Sequence, residues 1–515
     1  MTRFPVLLRL GKTNAGLLAL VFFAGCASLK STSSKPLDQP MAHADSACRN
    51  LNANNRRAYN EAVASIARQM DNRTPDELRG QLSSLGVTLE LPAAKLPLAR
   101  LHAVQGSIAP NDSPAIGAPI LLEYDTANAP QYPRDGLIIP ATAIYTRVHD
   151  APHLSLLIKE SRVQLNGTTY PLRIDNSAAV NAMAKRGQHI AGRALSYMLH
   201  PATIGDGSRI VLTEPYDPNK IPVLMVHGLQ SSPLAFVGLT NAIRCDPVLS
   251  QRFQVWAFFY ATGTPVFFNA LELRQELDRT IHALDPHDRD FATRHIVVLG
   301  HSMGGIMTHT LVSSSGERLW NALFTVPPSR LRGDKPGVRE LDEGLHFRRN
   351  PRVVRAIFIS TPHRGSKMAD SWIGHLGESL IHLPTGLQNT FVDVANENRD
   401  VATPQARAFH KQLNFSAVHT LSPNDPVLNA LAPRPIAVPF HSIVGQHNSG
   451  PIETSSDGVV PYTSSHLAGA ASELVVRSGH NAFATPDGQR EIMRILRLEL
   501  QSAKQTNEPV SLAGR

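Results

Sequence analysis

The segment at residues 294–312, RHIVVLGHSMGGIMTHTLV, decides the fold of the larger part of this 515-residue chain. It begins with β-branched apolar residues and ends in a helical pattern, and GHSMG, residues 300–304, stands between the two. A serine flanked by glycines at such a junction predicts a tight, strained turn, because residues without side chains let the strand and the helix approach closely. The pattern therefore predicts that Ser302 presents its hydroxyl as a nucleophile.

Outward from this segment, compact apolar runs alternate with helical stretches. The runs are VLMV, VWAFFY, VVRAIFIS, FHSIVG and ELVVRS, and all of them are rich in valine, isoleucine or aromatic residues. Such runs are typical of strands that are buried on both faces of a parallel sheet. The alternation predicts an α/β unit in which helices flank a mostly parallel sheet.

A serine hydroxyl needs a base within hydrogen-bond reach and a carboxylate that orients the base. Asp457 follows the strand FHSIVG, and His480 follows the strand ELVVRS. Both side chains would lie in loops at the carboxyl ends of strands, where open α/β sheets bind ligands. The chain order Ser302, Asp457, His480 is the order expected for a serine on a strand-to-helix turn of this kind.

Other residues could fill two of these roles. Asp425, in SPNDPVL, is an alternative acid, and Asp457 could be only a turn residue before a glycine. The alternative bases are His441, His447 and His466. His441 lies inside a predicted strand and the other two do not follow a strand in the required order, so the sequence favours His480.

Residues 221–498 resemble the α/β-hydrolase lipases and esterases, and in particular the bacterial triacylglycerol lipases. Besides GHSMG, the segments that carry this likeness are PVLMVHGLQSSP (222–233), STPHRGSKMADSW (360–372) and SDGVVPYTSSHLAG (456–469) followed by ELVVRSGHN (473–481). The resemblance implies an α/β-hydrolase fold and a Ser302–His480–Asp457 triad. It also implies an oxyanion hole made by the backbone N–H groups of Leu229 and Met303, with Gln230 a less favoured donor.

The same resemblance bears on metal binding. Those lipases carry an aspartate two positions after the catalytic histidine, where it helps to bind a structural calcium, and this chain has Ala482 there. A hard cation needs several oxygen ligands, and alanine supplies none. We expect no metal and no cofactor.

The N-terminal residues have the organisation of an export signal. A basic start is followed by the apolar stretch AGLLALVFFAG and Cys26, and FAGC resembles the lipobox of bacterial lipoproteins. The expectation is a signal peptide over 1–25, lipidation at Cys26 and a tether over 26–50. The protein would then be anchored in the cell envelope, in the outer membrane facing the periplasm. A secreted or periplasmic protein is the alternative.

The rest of the chain divides into two predicted domains. Residues 51–215 contain one amphipathic helix and several short strand-like runs, and predict a smaller strand-rich domain of unknown role. Residues 216–505 form the α/β domain, with a possible cap within 368–440. Cys48 and Cys245 could form a disulfide or remain free.

Composition limits the classes of partner. The formal net charge is +8, and removal of Arg3, Arg9 and Lys12 with the signal leaves +5, without a long basic run, so nucleic acid is not expected as a partner. The expected function is hydrolysis of carboxylic esters, of lipid or other apolar acyl compounds. An acyltransferase or amidase using the same triad is the alternative, and a non-catalytic envelope scaffold is a less favoured one.

Overall fold

The computed structural model describes residues 37–104, 113–158, 160–191, 207–367, 394, 396–410 and 419–507. Four expectations fall partly or wholly outside these residues. The signal peptide and Cys26 lie outside them entirely, and so does the first part of the predicted tether. Of the possible cap, residues 368–393, 395 and 411–418 lie outside them.

The N-terminal unit is built on a five-stranded sheet. Its elements are α1 (Asp38–Arg49), α2 (Arg56–Gln69), α3 (Pro75–Ser83), β1 (Thr88–Glu90), β2 (Leu98–Ala103), β3 (Ala118–Tyr124), β4 (Leu137–Val148), β5 (Ala151–Leu157), β6 (Arg162–Leu165), β7 (Thr168–Pro171) and α4 (Asn176–Ala191). The strand order is β1-β5-β4-β3-β2, and β6 and β7 form a separate hairpin. Neighbouring strands are antiparallel except for β1 and β5. The predicted strand-rich region is therefore present.

Helix α2 attaches to this sheet by both apolar and polar contacts. The amphipathic helix predicted for this region is present, and Tyr59, Val63, Ile66 and Met70, three or four positions apart, are all fully buried. The Tyr59 hydroxyl donates to the Tyr145 carbonyl at 2.7 Å and accepts from the Tyr145 N–H at 3.0 Å. One hydroxyl thus satisfies both backbone groups of a residue in β4.

Residues 38–49 correct the prediction of a tether over 26–50. They form α1, which packs against α2 and β4 and buries Met41, Ala44 and Cys48. The Tyr145 hydroxyl also donates to Asp45, at 3.1 Å. The Ser/Pro/Lys-rich composition of the surrounding segment hid a short buried stripe made of Pro40, Met41, Ala44, Ala47 and Cys48. Cys48 is buried and Cys245 is exposed, and both are free thiols, so they form no disulfide with each other.

The second unit contains a seven-stranded sheet. Its strands are β8 (Arg209–Leu212), β9 (Ile221–Val226), β10 (Phe253–Phe259), β11 (Ile296–His301), β12 (Val353–Ile359), β13 (Phe440–Gly445) and β14 (Ser472–Val476). The order is β14-β13-β12-β11-β9-β10-β8, and all neighbours are parallel except β8, which is antiparallel to β10. Strand β11, which precedes Ser302, lies in the centre.

Helices cover both faces of this sheet. They are α5 (Val237–Cys245), α6 (Leu249–Arg252), α7 (Val266–Leu284), α8 (Phe291–Arg294), α9 (Met303–Val312), α10 (Arg318–Leu323), α11 (Lys335–Leu345), α12 (Pro404–His410), α13 (Pro426–Leu431), α14 (Tyr462–Ser465) and α15 (Pro486–Asn507). Alternate residues of the strands enter two apolar clusters, one with α7 and α9 and the other with α5 and α15. This is the α/β-hydrolase fold, as the sequence predicts.

The two units share a core. The buried side chains of the N-terminal unit and those on the α7 and α9 face of the second sheet form one continuous apolar cluster. The Leu212 N–H also donates to the Gln131 carbonyl at 2.8 Å, and the Tyr132 hydroxyl accepts from the Tyr216 N–H at 3.1 Å. Within the described residues, no helix is both long enough and apolar enough to cross a membrane.

We predict that Ala44→Asp lowers the free energy of unfolding by about 3 kcal/mol or more, because the carboxylate would be buried in α1 without a partner. Ala42→Asp is the matched control, since Ala42 is exposed on the same helix. It should change stability by less than about 0.5 kcal/mol. Urea unfolding of both variants measures the difference. Equal stabilities would show that α1 does not pack in solution.

Candidate active site

Ser302 occupies a strained turn between β11 and α9. Its backbone has φ 55° and ψ −127°, a region that residues with a side chain rarely adopt. Two hydrogen bonds hold the turn: the Ser302 N–H donates to the Ile359 carbonyl of β12, and the Gly305 N–H donates to the Ser302 carbonyl, both at 2.9 Å. The predicted turn is therefore present at the carboxyl end of the central strand.

Three glycines make this turn possible. A Cβ on Gly300 would come within 2.6 Å of the Gly304 carbonyl oxygen, and a Cβ on Gly304 would overlap the backbone at the end of β9. A Cβ on Gly305 would overlap the side chain of Thr361. The sequence pattern explains the first two. Gly305 lies outside that pattern. Glycine is required there because Thr361, in the loop after β12, occupies the place of a side chain.

Asp457 and His480 form a hydrogen-bonded pair, as the sequence predicts for an acid and a base. His480 Nδ1 lies 2.8 Å from Asp457 Oδ2, and the other carboxylate oxygen accepts from the N–H groups of Val459 and Val460 at 2.8 and 2.7 Å. Burial alone would raise the pKa of Asp457, but the hydrogen bonds from His480 and these N–H groups outweigh it and lower the pKa. The carboxylate is therefore charged, and it fixes the tautomer of His480.

His301 joins the serine turn to the histidine loop. His301 Nε2–H donates to the His480 carbonyl at 3.0 Å, and the two ring centroids lie 4.8 Å apart. Burial, together with the neighbouring His480, lowers the pKa of His301 to about 3, so this imidazole is neutral. No hydrogen bond in the described residues joins the Ser302 hydroxyl to His480. Such a bond is often long until substrate binds.

The loop after β9 lies against the serine. A Cβ on Gly228 would come within 2.8 Å of the Ser302 Cβ. The Tyr260 hydroxyl donates to the His227 carbonyl at 2.6 Å, and the two rings stack with centroids 4.3 Å apart. Leu229 lies in the same loop, directly after Gly228. His227 is thus fixed and buried, and burial lowers its pKa to about 4.

Met303 begins helix α9, directly after the serine. The first N–H groups of a helix have no carbonyl partner within the helix, and the helix end carries partial positive charge. Leu229 lies in the loop after β9, and Met303 lies at the start of α9. Both segments lie next to Ser302. This is the arrangement in which two N–H groups can stabilise negative charge on an oxygen.

The segment 361–366, from the PHRGS motif, holds the loop that carries Asp457. Arg364 donates to the carbonyls of Thr463 and His466 at 3.0 and 2.8 Å, and the Ser366 hydroxyl donates to the Val459 carbonyl. His363 is buried beside Phe358, and its two ring nitrogens have no hydrogen-bond partner in the described structure. These hydrogen bonds hold the loop that carries Asp457 in place.

Asp425, the alternative acid, lies elsewhere. Its carboxylate accepts from the Leu428 N–H at 2.7 Å and caps the N-terminus of α13. It also lines a mostly apolar cavity with Phe267, Leu323 and Leu345, and none of the three triad candidates lines that cavity. Burial raises the pKa of Asp425 to about 7. A helix cap in an apolar setting explains this residue without catalysis.

The alternative bases have other partners. His441 Nε2 accepts from Arg355 at 2.8 Å, and its Nδ1–H donates to Ser472 at 2.7 Å, within a buried network. His466 pairs with Glu473 at 2.8 Å, and His447 is exposed. Among the described residues, no group of three or more histidines, cysteines or carboxylates could hold a metal ion. Ala482, two positions after His480, is fully buried.

No protein-family model matches the chain, and no curated protein matches it. Similar solved structures include the lipase BlEst2 of Bacillus licheniformis in its mature form, with 15% identity, 56% of this chain and 97% of that chain covered, and a TM-score of 0.33. EstA from Clostridium botulinum has 13% identity, coverage of 55% and 87%, and a TM-score of 0.32. A hydrolase from Pseudomonas aeruginosa has 14% identity, coverage of 57% and 92%, and a TM-score of 0.27.

We predict that Asp457→Asn slows covalent labelling of the chain by a fluorophosphonate about 10³- to 10⁴-fold, because His480 loses the partner that fixes its tautomer. Asp425→Asn is the matched control and should label at the wild-type rate, since Asp425 caps α13 and lines a cavity that none of the triad candidates lines. Labelling is followed by the loss of free probe or by protein mass. Slow labelling of the Asp425 variant with normal labelling of the Asp457 variant would transfer the acid role to Asp425.

Proposed function

We propose that this chain hydrolyses carboxylic esters through an acyl-enzyme on Ser302. The observation that carries the proposal is the arrangement at the carboxyl edge of the sheet. A strained turn presents one serine there, and a buried, charged carboxylate orients one histidine 2.8 Å away. His301 connects the serine turn to the histidine loop. An activated nucleophile, its base and the residue that orients the base are what acyl transfer requires.

In the first half of the reaction, Ser302 Oγ forms a bond to the acyl carbonyl carbon while its proton passes to His480 Nε2. The carbonyl electrons move onto oxygen, and the N–H groups of Leu229 and Met303 stabilise that charge. Comparable donors contribute about 2.7–4 kcal/mol each. The intermediate then collapses, the bond to the leaving alcohol breaks, and the alcohol takes the proton from His480. The acyl group remains on Ser302.

In the second half, water replaces the alcohol. His480 takes a proton from the water as its oxygen bonds to the acyl carbon, and then returns that proton to Ser302 Oγ as the acid leaves. Asp457 remains charged throughout and stabilises the imidazolium, because its own pKa is lowered. The products are a carboxylic acid and an alcohol, and the enzyme is restored.

An apolar acyl group is the substrate class that we propose. Leu229, in the loop beside the serine, is apolar and half-buried. Met303 is fully buried in the core, so it offers the substrate its backbone N–H and not its side chain. Burial of each methylene of an acyl chain contributes about 0.8 kcal/mol. For this reason kcat/KM should rise along a series of p-nitrophenyl esters from acetate to longer chains.

We predict that Ser302→Ala lowers kcat for p-nitrophenyl ester hydrolysis by at least about 10⁴-fold, because no acyl-enzyme can form. The substitution leaves the three glycines of the turn in place, so the melting temperature should be unchanged. Ser449→Ala, at an exposed serine, is the control and should retain full activity. Undiminished hydrolysis by a folded Ser302→Ala variant would exclude this serine as the nucleophile.

The site of action is a separate part of the proposal. The FAGC motif supports lipidation at Cys26, which would hold the enzyme at the cell envelope, facing the periplasm. We predict that Cys26→Ser moves the protein from the membrane fraction to the soluble fraction of the envelope, because the lipid would be lost. Fractionation followed by immunoblotting measures this. Unchanged membrane association in the variant would contradict lipid anchoring at this residue.

A further inference from the structure

A short 3-10 turn, Pro233–Phe236, occupies a central position next to the active site. It begins four residues after Leu229 and leads into α5. The Phe236 ring lies 4.9 Å from the Phe483 ring, and Phe483 contacts the ring of His301 edge-on at 4.8 Å. Because His301 in turn contacts His480, this turn connects the loop of Leu229 to the histidine loop.

The N-terminal unit contacts the same turn through helix α4. Helices α4 and α5 run antiparallel, since the start of α4 meets the end of α5. There the Asn176 side-chain amide donates to the Arg244 carbonyl at 2.8 Å, and the Ser177 hydroxyl lies 3.3 Å from the Cys245 sulfur. Near the other end of α4, Gly187 lies against the side chain of Leu234, within the 3-10 turn.

Gly187 is placed for close approach. A Cβ on Gly187 would come within 2.9 Å of Leu234 Cδ2, so a larger residue would displace the half-buried side chain of Leu234. Arg186 fixes this part of α4 on its other side. Its guanidinium pairs with Glu123 of β3 at 2.7 Å and donates to the Asp135 carbonyl at 2.9 Å.

The apolar face of α4 adds to this anchorage. Ala179 is fully buried against Leu121 and Ile138 of the N-terminal sheet, and Met183 packs on the same cluster. Helix α4 is thus fixed to the N-terminal sheet from Ala179 to Arg186, and the next residue, Gly187, closely approaches the side chain of Leu234. A displacement of α4 would therefore displace Leu234, and so would a larger residue at position 187.

We propose that α4 positions the oxyanion loop, residues 228–232, through the contact between Gly187 and Leu234. The first end of this loop is held by the hydrogen bond from Tyr260 to the His227 carbonyl. The second end is held by Leu234 against α4 and by Phe236 against Phe483. Gly187 and Leu234 are positioning residues, and the N-terminal unit is part of the active-site framework. The inference rests on the proposed function in so far as the loop serves acyl transfer.

The test places the leucine at position 187 and a small residue at position 234. Gly187→Leu and Leu234→Ala should each lower kcat for p-nitrophenyl ester hydrolysis, and the rate of fluorophosphonate labelling, by about 10-fold or more with KM little changed, since a misplaced donor acts on the transition state. The double variant should recover to within about threefold of wild type, because the volume at the contact is conserved. Gly80→Leu is the control, since a side chain at Gly80 in α3 would meet nothing within 4 Å.

The outcomes separate the two proposals. Wild-type labelling and kcat in both folded single variants would overturn the positioning role while ester hydrolysis stands. So would a double variant that is no faster than the slower single variant. Labelling that falls and recovers as expected, in a chain that hydrolyses no ester, would support the positioning role and reject the proposed function. If Gly187→Leu does not fold, Leu234→Ala decides, since Leu234 is only half-buried.

Discussion

The strained backbone of Ser302 is the constraint on which the rest of the site depends. A non-glycine residue at φ 55° and ψ −127° persists only where the surroundings enforce it. Here β12 accepts its N–H, and β9 and the loop after β12 leave no room for side chains at Gly304 and Gly305. Three adjacent strands must therefore keep their register for one hydroxyl to stand at the sheet edge.

Much of this could be predicted because it is local in sequence. GHSMG between a buried strand and a helix specifies its own turn, and apolar runs of strand length specify a sheet that is covered on both faces. Asp457 and His480 could be found because each follows such a run. The hydrogen bond between them then follows from the parallel pairing of β13 with β14, which brings their carboxyl ends to one edge.

Other features depend on contacts between distant parts of the chain, and the sequence carries little signal for them. Helix α1 presents a short buried stripe of small and medium-sized residues within a Ser/Pro/Lys-rich segment, so a tether was the wrong prediction for residues 38–49. In the sequence, Asp425 could equally be the acid of a catalytic loop, and only the structure shows that it caps α13. The separation of the chain into two predicted domains also hid the contact of α4 with the turn beside the oxyanion loop.

The central claim is that catalysis passes through an ester of Ser302, and trapping that ester tests it most directly. The chain is mixed with a p-nitrophenyl ester, quenched in acid during turnover and digested, and the peptides are weighed by mass spectrometry. The account predicts one acyl group per chain, on the peptide that contains Ser302, and none after the substrate is exhausted. An acyl group on a different residue, or turnover that persists in Ser302→Ala, would contradict it.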